Sequence, residues 1–225
     1  MLHITCWLWS QKGYRKRFTA QHVNTLRNMV RRHLSLPHEF VCITDTPKGI
    51  DPAIRILRLP EVPAVTWPAS RPNCFRRLWA FSDAARHLIG ERIVCMDLDC
   101  VVTGSLDPLF DRPDPFVIWK DAMHRNQYNG GFWLLTTGAR RQVWDRFRGQ
   151  ASLRELRAKQ GSDQAWISAV LGDREPTWTA KDGVYSFRKE VRPAAGLPEG
   201  ARVVFFHGKP DPWETSLDWV REHYR

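Results

Sequence analysis

A chain of 225 residues with 34 Lys and Arg against 24 Asp and Glu carries a formal net charge of +10. Its 43% hydrophobic share is that of an ordinary globular protein able to bury a sizeable core. No apolar run nears the roughly 18 residues that span a bilayer, and residues 1–10 lack the charged start and long apolar core of a signal peptide, which argues against membrane and secreted classes.

In chain order, residues 3–9 read as a first strand and 19–34 as a helix with Val23, Leu26, Val30 and Leu34 on one face. Residues 40–44 and 54–59 read as further strands, and 60–72, rich in Pro, as an irregular loop. Residues 73–88 read as one helix that buries Phe75, Leu78, Trp79, Ser82 and Ala85. A fourth strand ends at Asp97. Beyond it, 116–119 and 132–136 look like strands, 140–148 and 153–159 like exposed helices, and 162–171 like a capped helix. A late strand at 203–206 and a helix at 214–224 complete the pattern. Strand and helix alternate through the first half, which predicts an α/β fold with a mostly parallel central sheet flanked by helices. No repeat or linker divides the chain, so 1–225 reads as a single domain.

The fourth strand, Arg92-Ile93-Val94-Cys95-Met96-Asp97-Leu98-Asp99, is the most informative stretch. Val94 and Met96 face one side and Ile93 and Cys95 the other, so both faces are apolar and the strand is buried in a sheet. Ligands collect beyond the carboxyl ends of such strands. Two carboxylates there suit Mg²⁺ or Mn²⁺ shared with a phosphate, although an Asp at a strand end also serves as a simple cap. Asn129-Gly130-Gly131 reads as a polar turn feeding an apolar strand, with glycines that let backbone approach a ligand. Ser162 caps a helix whose first turn carries Asp163 and Gln164; capping accounts for the acid but not for the amide. Val203 to Phe206 delivers His207 and Lys209 at another strand end.

Taken in this order, the four motifs resemble those of the GT-A-fold glycosyltransferases, closest to the retaining group that includes glycogenin and bacterial lipopolysaccharide galactosyltransferases. The resemblance implies a Rossmann-like GT-A domain, with 1–110 as its nucleotide-binding half and 111–225 as its sugar and acceptor half. It implies a metal-dependent enzyme that moves a sugar, with retention, from a nucleoside-diphosphate sugar such as a UDP-sugar to a hydroxyl acceptor. Asp97, Asp99 and His207 would hold Mn²⁺ or Mg²⁺. Asp97, Arg77, Asn129, Gly131 and Lys209 would bind the donor, with its nucleotide over Thr5, Cys6 and Trp7 and near Asp45. Asp163 and Gln164, with Asp121, would carry the catalytic polar groups. Two departures stand out: the last motif is compressed to His207-Gly208-Lys209-Pro210-Asp211-Pro212-Trp213, and the first strand carries Cys6-Trp7-Leu8-Trp9 where the family has small and hydroxyl residues.

Two rival readings use the same residues. In a haloacid-dehalogenase-like phosphatase, Asp97 would be the nucleophile and Asp99 the acid/base, but that motif belongs on a first strand. A non-enzymatic nucleic-acid binder would use the basic clusters at Arg15-Lys16-Arg17, 27–33, Arg76-Arg77 and 140–159, but has no need of converging acids. The basic excess also predicts a polyanionic acceptor. One candidate is an anionic glycan or glycolipid. The other is DNA with a hydroxymethylated base, as phage-type enzymes modify, flipped onto Trp67, Trp119 or Trp133. Five Cys in apolar runs without ligand spacing predict reduced thiols and a cytoplasmic location, at the inner membrane face or in a host cell.

Overall fold

The computed structural model describes residues 1–13, 18–156, 163–192, 194 and 196–225. Arg15-Lys16-Arg17, the end of the basic stretch (157–159) and Ser162, all read above, lie outside the described residues.

The strands are β1 (Leu2–Leu8), β2 (His38–Thr44), β3 (Arg55–Arg58), β4 (Arg92–Met96), β5 (Cys100–Val102), β6 (Phe116–Lys120), β7 (Tyr128–Thr136), β8 (Thr177–Trp178), β9 (Val184–Ser186) and β10 (Val203–Phe205). The helices are α1 (Ala20–His33), α2 (Asp83–Leu88), α3 (Asp107–Phe110), α4 (Gln142–Asp145), α5 (Gln150–Glu155), α6 (Asp163–Leu171) and α7 (Asp218–His223). Among the described residues, seven strands form one sheet in the order β3-β2-β1-β4-β7-β6-β8. β1 runs parallel to both β2 and β4. β7 is antiparallel to its neighbours β4 and β6, so the sheet is mixed but mostly parallel, as the sequence predicts. A second, three-stranded sheet has the order β5-β10-β9.

Alternate residues of the central strands build two cores, one on each face. Ile4, Cys6, Val94 and Met96 pack with Val23, Leu26, Met29 and Val30 of α1. Ile93, Cys95 and Trp133 pack with Phe75 and Leu78 and with Trp166 of α6. The face assignment made for β4 from its sequence therefore holds, because both of its sides meet helical layers.

Three elements differ from expectation. The run 73–88 is broken: a 3-10 helix, Cys74–Phe81, ends at Ser82, whose extended backbone (φ −81°, ψ 160°) separates it from α2. Ser competes with helical geometry through its side chain and suits such breaks. The buried positions Phe75, Leu78, Trp79, Ser82 and Ala85 are nevertheless as predicted. Asn129-Gly130-Gly131 is strand, not turn: it lies inside β7, where Asn129 pairs with Trp119 and the Gly131 carbonyl accepts from the Asp97 N–H at 2.9 Å. The last helix starts at Asp218, after a separate 3-10 turn at Pro212–Glu214.

Candidate active site

β1, β2 and β4 run side by side in one direction, so their outgoing loops gather at one edge. A cleft of about 950 Å³ opens there. The loop after β1 supplies Trp9 to Gly13, the end of β2 supplies Thr46 and Lys48, and Asp97 and Asp99 form part of the wall. Trp7 also lines it, at the last turn of β1.

Behind this wall, Arg77 joins two acids that are distant in sequence. Its guanidinium is paired through Nη1 with Asp97 and through Nε with Asp163 Oδ2 at 2.8 Å. Arg77 and Asp163 are almost wholly buried (5% and 2% side-chain exposure), whereas Asp97 is 39% exposed toward the cleft. Burial alone would lower the Arg77 pKa, but the fields of Asp163 and then Asp97 outweigh it and hold the pKa well above its ordinary value. The cluster is thus one fixed cation between two carboxylates. Leu78 and Trp79 on the same 3-10 helix are buried, which fixes the direction in which Arg77 projects.

β7 makes room for these acids. A Cβ on Gly130 would sit 2.7 Å from Asp163 Oδ2, and one on Gly131 would press on Asp97 Oδ2 closer than 3.0 Å. The two glycines therefore let carboxylates lie directly on the strand backbone. Asn129 Oδ1 accepts from the Gly131 N–H at 2.8 Å and steadies this segment. Asp97, Arg77, Asn129, Gly131 and Asp163 are brought together, and half-buried Gln164 follows Asp163 on α6.

Asp99 leads directly into β5, and β5 pairs antiparallel with β10. The Phe206 N–H donates to the Asp99 carbonyl at 2.8 Å, so His207 leaves β10 beside the second acid. The His207 ring stacks on Trp119 with centroids 5.0 Å apart. Among the described residues no three His, Cys, Asp or Glu side chains converge as a metal-binding group, so His207 does not form a preassembled triad with Asp97 and Asp99. The two acids alone, both on the cleft wall, have the donor chemistry for a hard divalent cation whose remaining ligands are phosphate oxygens and water. Tyr224, at the end of α7, lies in the fields of Cys100, Asp99 and Asp211; burial and these charges raise its pKa.

Other expected site residues sit elsewhere. Thr5 is buried and its hydroxyl donates to the Val94 carbonyl at 2.8 Å, which braces β1 on β4 rather than facing a ligand. Cys6 is fully buried, and its thiol pKa is pushed up by burial. Asp45 accepts from the Ser10 N–H at 3.0 Å and holds the loop after β1. The Asp121 carboxylate accepts from the N–H groups of Met123, Arg125 and Asn126 at 3.0–3.1 Å, so it organises the loop before β7. Lys209 is exposed, with Nζ 3.8 Å from Glu214 Oε1, and neither it nor His207 walls the cleft. In the basic stretch after β7, Arg140 is spent on Glu175 at 2.6 Å and Arg141 on Asp83 at 2.7 Å. Trp119 and Trp133 are buried in the cores and offer no stacking face to a base; Trp67 is partly exposed.

Gln11 was not anticipated. Its side chain ties the loop after β1 to the Pro-rich loop: Nε2 donates to the carbonyls of Ala69 and Arg71 at 3.2 and 2.5 Å, and Oε1 accepts from the Asn73 N–H at 2.9 Å. No local pattern could have revealed it, because all three partners are about sixty positions away in sequence.

By sequence, neither a protein-family model nor a curated protein matches the chain. By structure the similarity is extensive. The galactosyltransferase LgtC, crystallised with donor and acceptor sugar analogues, aligns with TM-score 0.63 and 12% identity over 99% of this chain and 96% of its own. The glycosyltransferase GlyE of Streptococcus pneumoniae aligns with TM-score 0.61 and 13% identity over 99% of this chain and 63% of its own. WbbM, a bifunctional glycosyltransferase, aligns with TM-score 0.57 and 13% identity over 98% of this chain and half of its own. The chain thus has the GT-A-like fold of these glycosyltransferases.

Proposed function

We propose that the chain is a metal-dependent glycosyltransferase that moves a sugar from a nucleoside-diphosphate sugar, in our reading a UDP-sugar, to a hydroxyl acceptor with retention. The observation that carries this reading is the Arg77 bridge between Asp97, on the cleft wall, and Asp163, buried behind it. In a sheet with this topology the cleft edge is where a nucleotide is held, and the bridge fixes the Asp97 carboxylate there as a ligand for a cation shared with a diphosphate.

Each residue has a task in this reading. Asp97 and Asp99 would hold Mn²⁺ or Mg²⁺ against the donor phosphates. When bound, the cation supplies positive charge to the departing diphosphate. Arg77 orients Asp97, and Asn129 and the two glycines shape the floor on which the sugar lies. Half-buried Gln164 faces the sugar from the start of α6, and Asp163 beside it holds Arg77 in place from behind. The loop residues Trp9 to Gly13 cover the nucleotide. The cleft wall comes from residues 7–99, and Asn129, Gly131, Asp163 and His207 come from the second half, which supports a division into a nucleotide half (1–110) and a sugar and acceptor half (111–225).

No helix among the described residues is long and apolar enough to cross a membrane. The acceptor in this reading is a glycan or glycolipid. The phosphatase alternative is weakened by the place of Asp97 on the fourth strand, and the DNA alternative by the burial of Trp119 and Trp133. The test is hydrolysis of a panel of nucleotide sugars with and without Mn²⁺. The reading expects release of a nucleoside diphosphate from at least one donor, dependent on the metal and lost in Asp99→Asn. Release of inorganic phosphate from generic esters instead would overturn it.

A further inference from the structure

A second cavity, of about 200 Å³, adjoins the main cleft on the far side of the loop after β1. Trp9, Ser10, Gln11 and Lys12 of that loop are common to both. Its other walls include Trp67, with Asn73 and Arg76 from the start of the 3-10 helix. It is about a fifth the size of the main cleft, which suits a single sugar ring rather than a chain of them.

Three features set this cavity apart from an ordinary surface hollow. Trp9 and Trp67 are both partly buried, and Trp67 is held in place: its Nε1 donates to the Pro72 carbonyl at 3.0 Å, and its ring meets Phe75 edge-on at 5.2 Å. Indole faces of this kind bind sugar rings through their apolar C–H surfaces. Polar atoms in the wall are also left without partners. Asn73 Oδ1 and Arg76 Nε are buried and make no hydrogen bond. Asn73 occupies a helix-capping position but its side chain makes no cap, so that role does not account for it. Each of the two atoms carries a desolvation cost; both are sealed from the cavity space, and a small turn of either side chain toward a ligand would give the atom a partner. Finally, the cavity wall is basic. Among the described residues Lys12 and Arg76 line it, no Asp or Glu does, and Arg76 makes no ion pair.

We propose that this cavity is a saccharide subsite for an acidic sugar unit of the acceptor. The ring lies against Trp9 and Trp67, a hydroxyl and a ring substituent engage Asn73, and the carboxylate faces Arg76 and Lys12. A planar guanidinium suits a carboxylate. The loop that divides the cavity from the donor cleft would set the distance between the acidic unit and the hydroxyl that receives the transferred sugar. The assignment of the sugar to an acceptor rests on the transferase reading; the binding itself does not.

The test is therefore direct binding, by calorimetry and ligand-observed NMR, of methyl β-glucuronide and methyl β-glucoside to the full chain. The glucuronide is expected to bind about fivefold or more tighter than the neutral glucoside, a factor that shrinks as salt is raised. Arg76→Gln is expected to erase that preference, and Trp67→Ala to weaken both glycosides, with Trp67→Phe retaining most of the affinity. UDP with Mn²⁺ is expected to bind all three variants as it binds the unaltered protein. Equal affinity for the two glycosides, no binding of either, or affinity unmoved by both Arg76→Gln and Trp67→Phe together with Trp67→Ala would overturn the proposal. Preferential binding of a free 5-hydroxymethylated pyrimidine base would overturn it too. Glucuronide binding without turnover of any nucleotide sugar would uphold the subsite and defeat the transferase reading instead. Turnover of a nucleotide sugar without glucuronide binding would leave that reading standing and defeat the subsite.

Discussion

Arg77 Nε lies 2.8 Å from Asp163 Oδ2, in a pair almost completely removed from water. Asp97 is held by the same guanidinium. Removing one member of such a buried group strands the charge of another, at a cost of about 3–5 kcal/mol. Arg77→Ala is therefore expected to lower both thermal stability and donor hydrolysis, and by more than Arg76→Ala does. Melting temperature and nucleotide-sugar turnover, measured on the two variants side by side, check this. Equal losses would mean that Arg77 has no special task.

Asp99→Asn is expected to abolish metal-stimulated turnover while the melting temperature without metal changes little. Asp99 stands on the cleft wall, not in a core, so the amide is accommodated sterically but is a poor ligand for a hard cation. Titration of Mn²⁺ into the variant in the presence of a nucleoside diphosphate reads the loss directly. Turnover fully restored by saturating Mn²⁺ would place the cation elsewhere.

Gly130→Ala and Gly131→Ala separate two kinds of damage within one strand. The Cβ at 130 meets a carboxylate that Arg77 locks in place, so the expected effect is a drop in stability of about 1–3 kcal/mol, as for overpacking. The Cβ at 131 meets Asp97, which is 39% exposed and can turn toward the cleft. Gly131→Ala is expected to fold nearly as well and to bind a nucleoside diphosphate with Mn²⁺ more weakly. Denaturant unfolding and calorimetry on both variants distinguish the two.

His22 links stability to acidity. Its Nδ1 accepts from the Thr19 N–H at 2.9 Å at the start of α1, and its ring packs on Trp213 at 4.1 Å. Burial lowers its pKa below the ordinary 6.5, so the folded protein favours the neutral ring. The unfolded chain then takes up protons first as pH falls, and stability declines below about pH 6.5. Above that value the contribution is fully present. His22→Gln keeps a capping side chain that does not titrate. It is expected to flatten this part of the stability–pH curve, leaving the slope that buried His3 and half-buried His33 contribute in the same direction.

Much of this arrangement is legible in the sequence because it is written in local pattern. The two-sided apolar run of β4 announces a central strand, and the acids at its end announce the cleft. Arg77 could be chosen over Arg76 from the motif resemblance, and the two residues do differ in the fold: one is locked between acids, the other lines a cavity. What escaped is governed by long-range hydrogen bonding. Asn129-Gly130-Gly131 looks like a turn on composition, but hydrogen bonds on both sides hold it in β7. Thr5 and Asp121 carry the right chemistry for a site, but Val94 and a loop backbone claim it. β5, β8 and β9, of two or three residues each, are too short for a periodic signal.

The small sheet of β5, β10 and β9 sets an order of assembly. Thr103 and Ala201, which hydrogen-bond where β5 and β10 meet, lie 98 residues apart in the chain. Contacts across so long a loop are slow to form, since the closure entropy is met before any contact rewards it. During synthesis Asp97 and Asp99 leave the ribosome well before the segment that carries His207 exists. The acidic edge of the cleft is thus laid down by the first half of the chain, and the strand pairing that follows Asp99 is completed only by the last. A truncated or unfinished chain would carry both carboxylates of that edge without the β5–β10 pairing that fixes the backbone after Asp99.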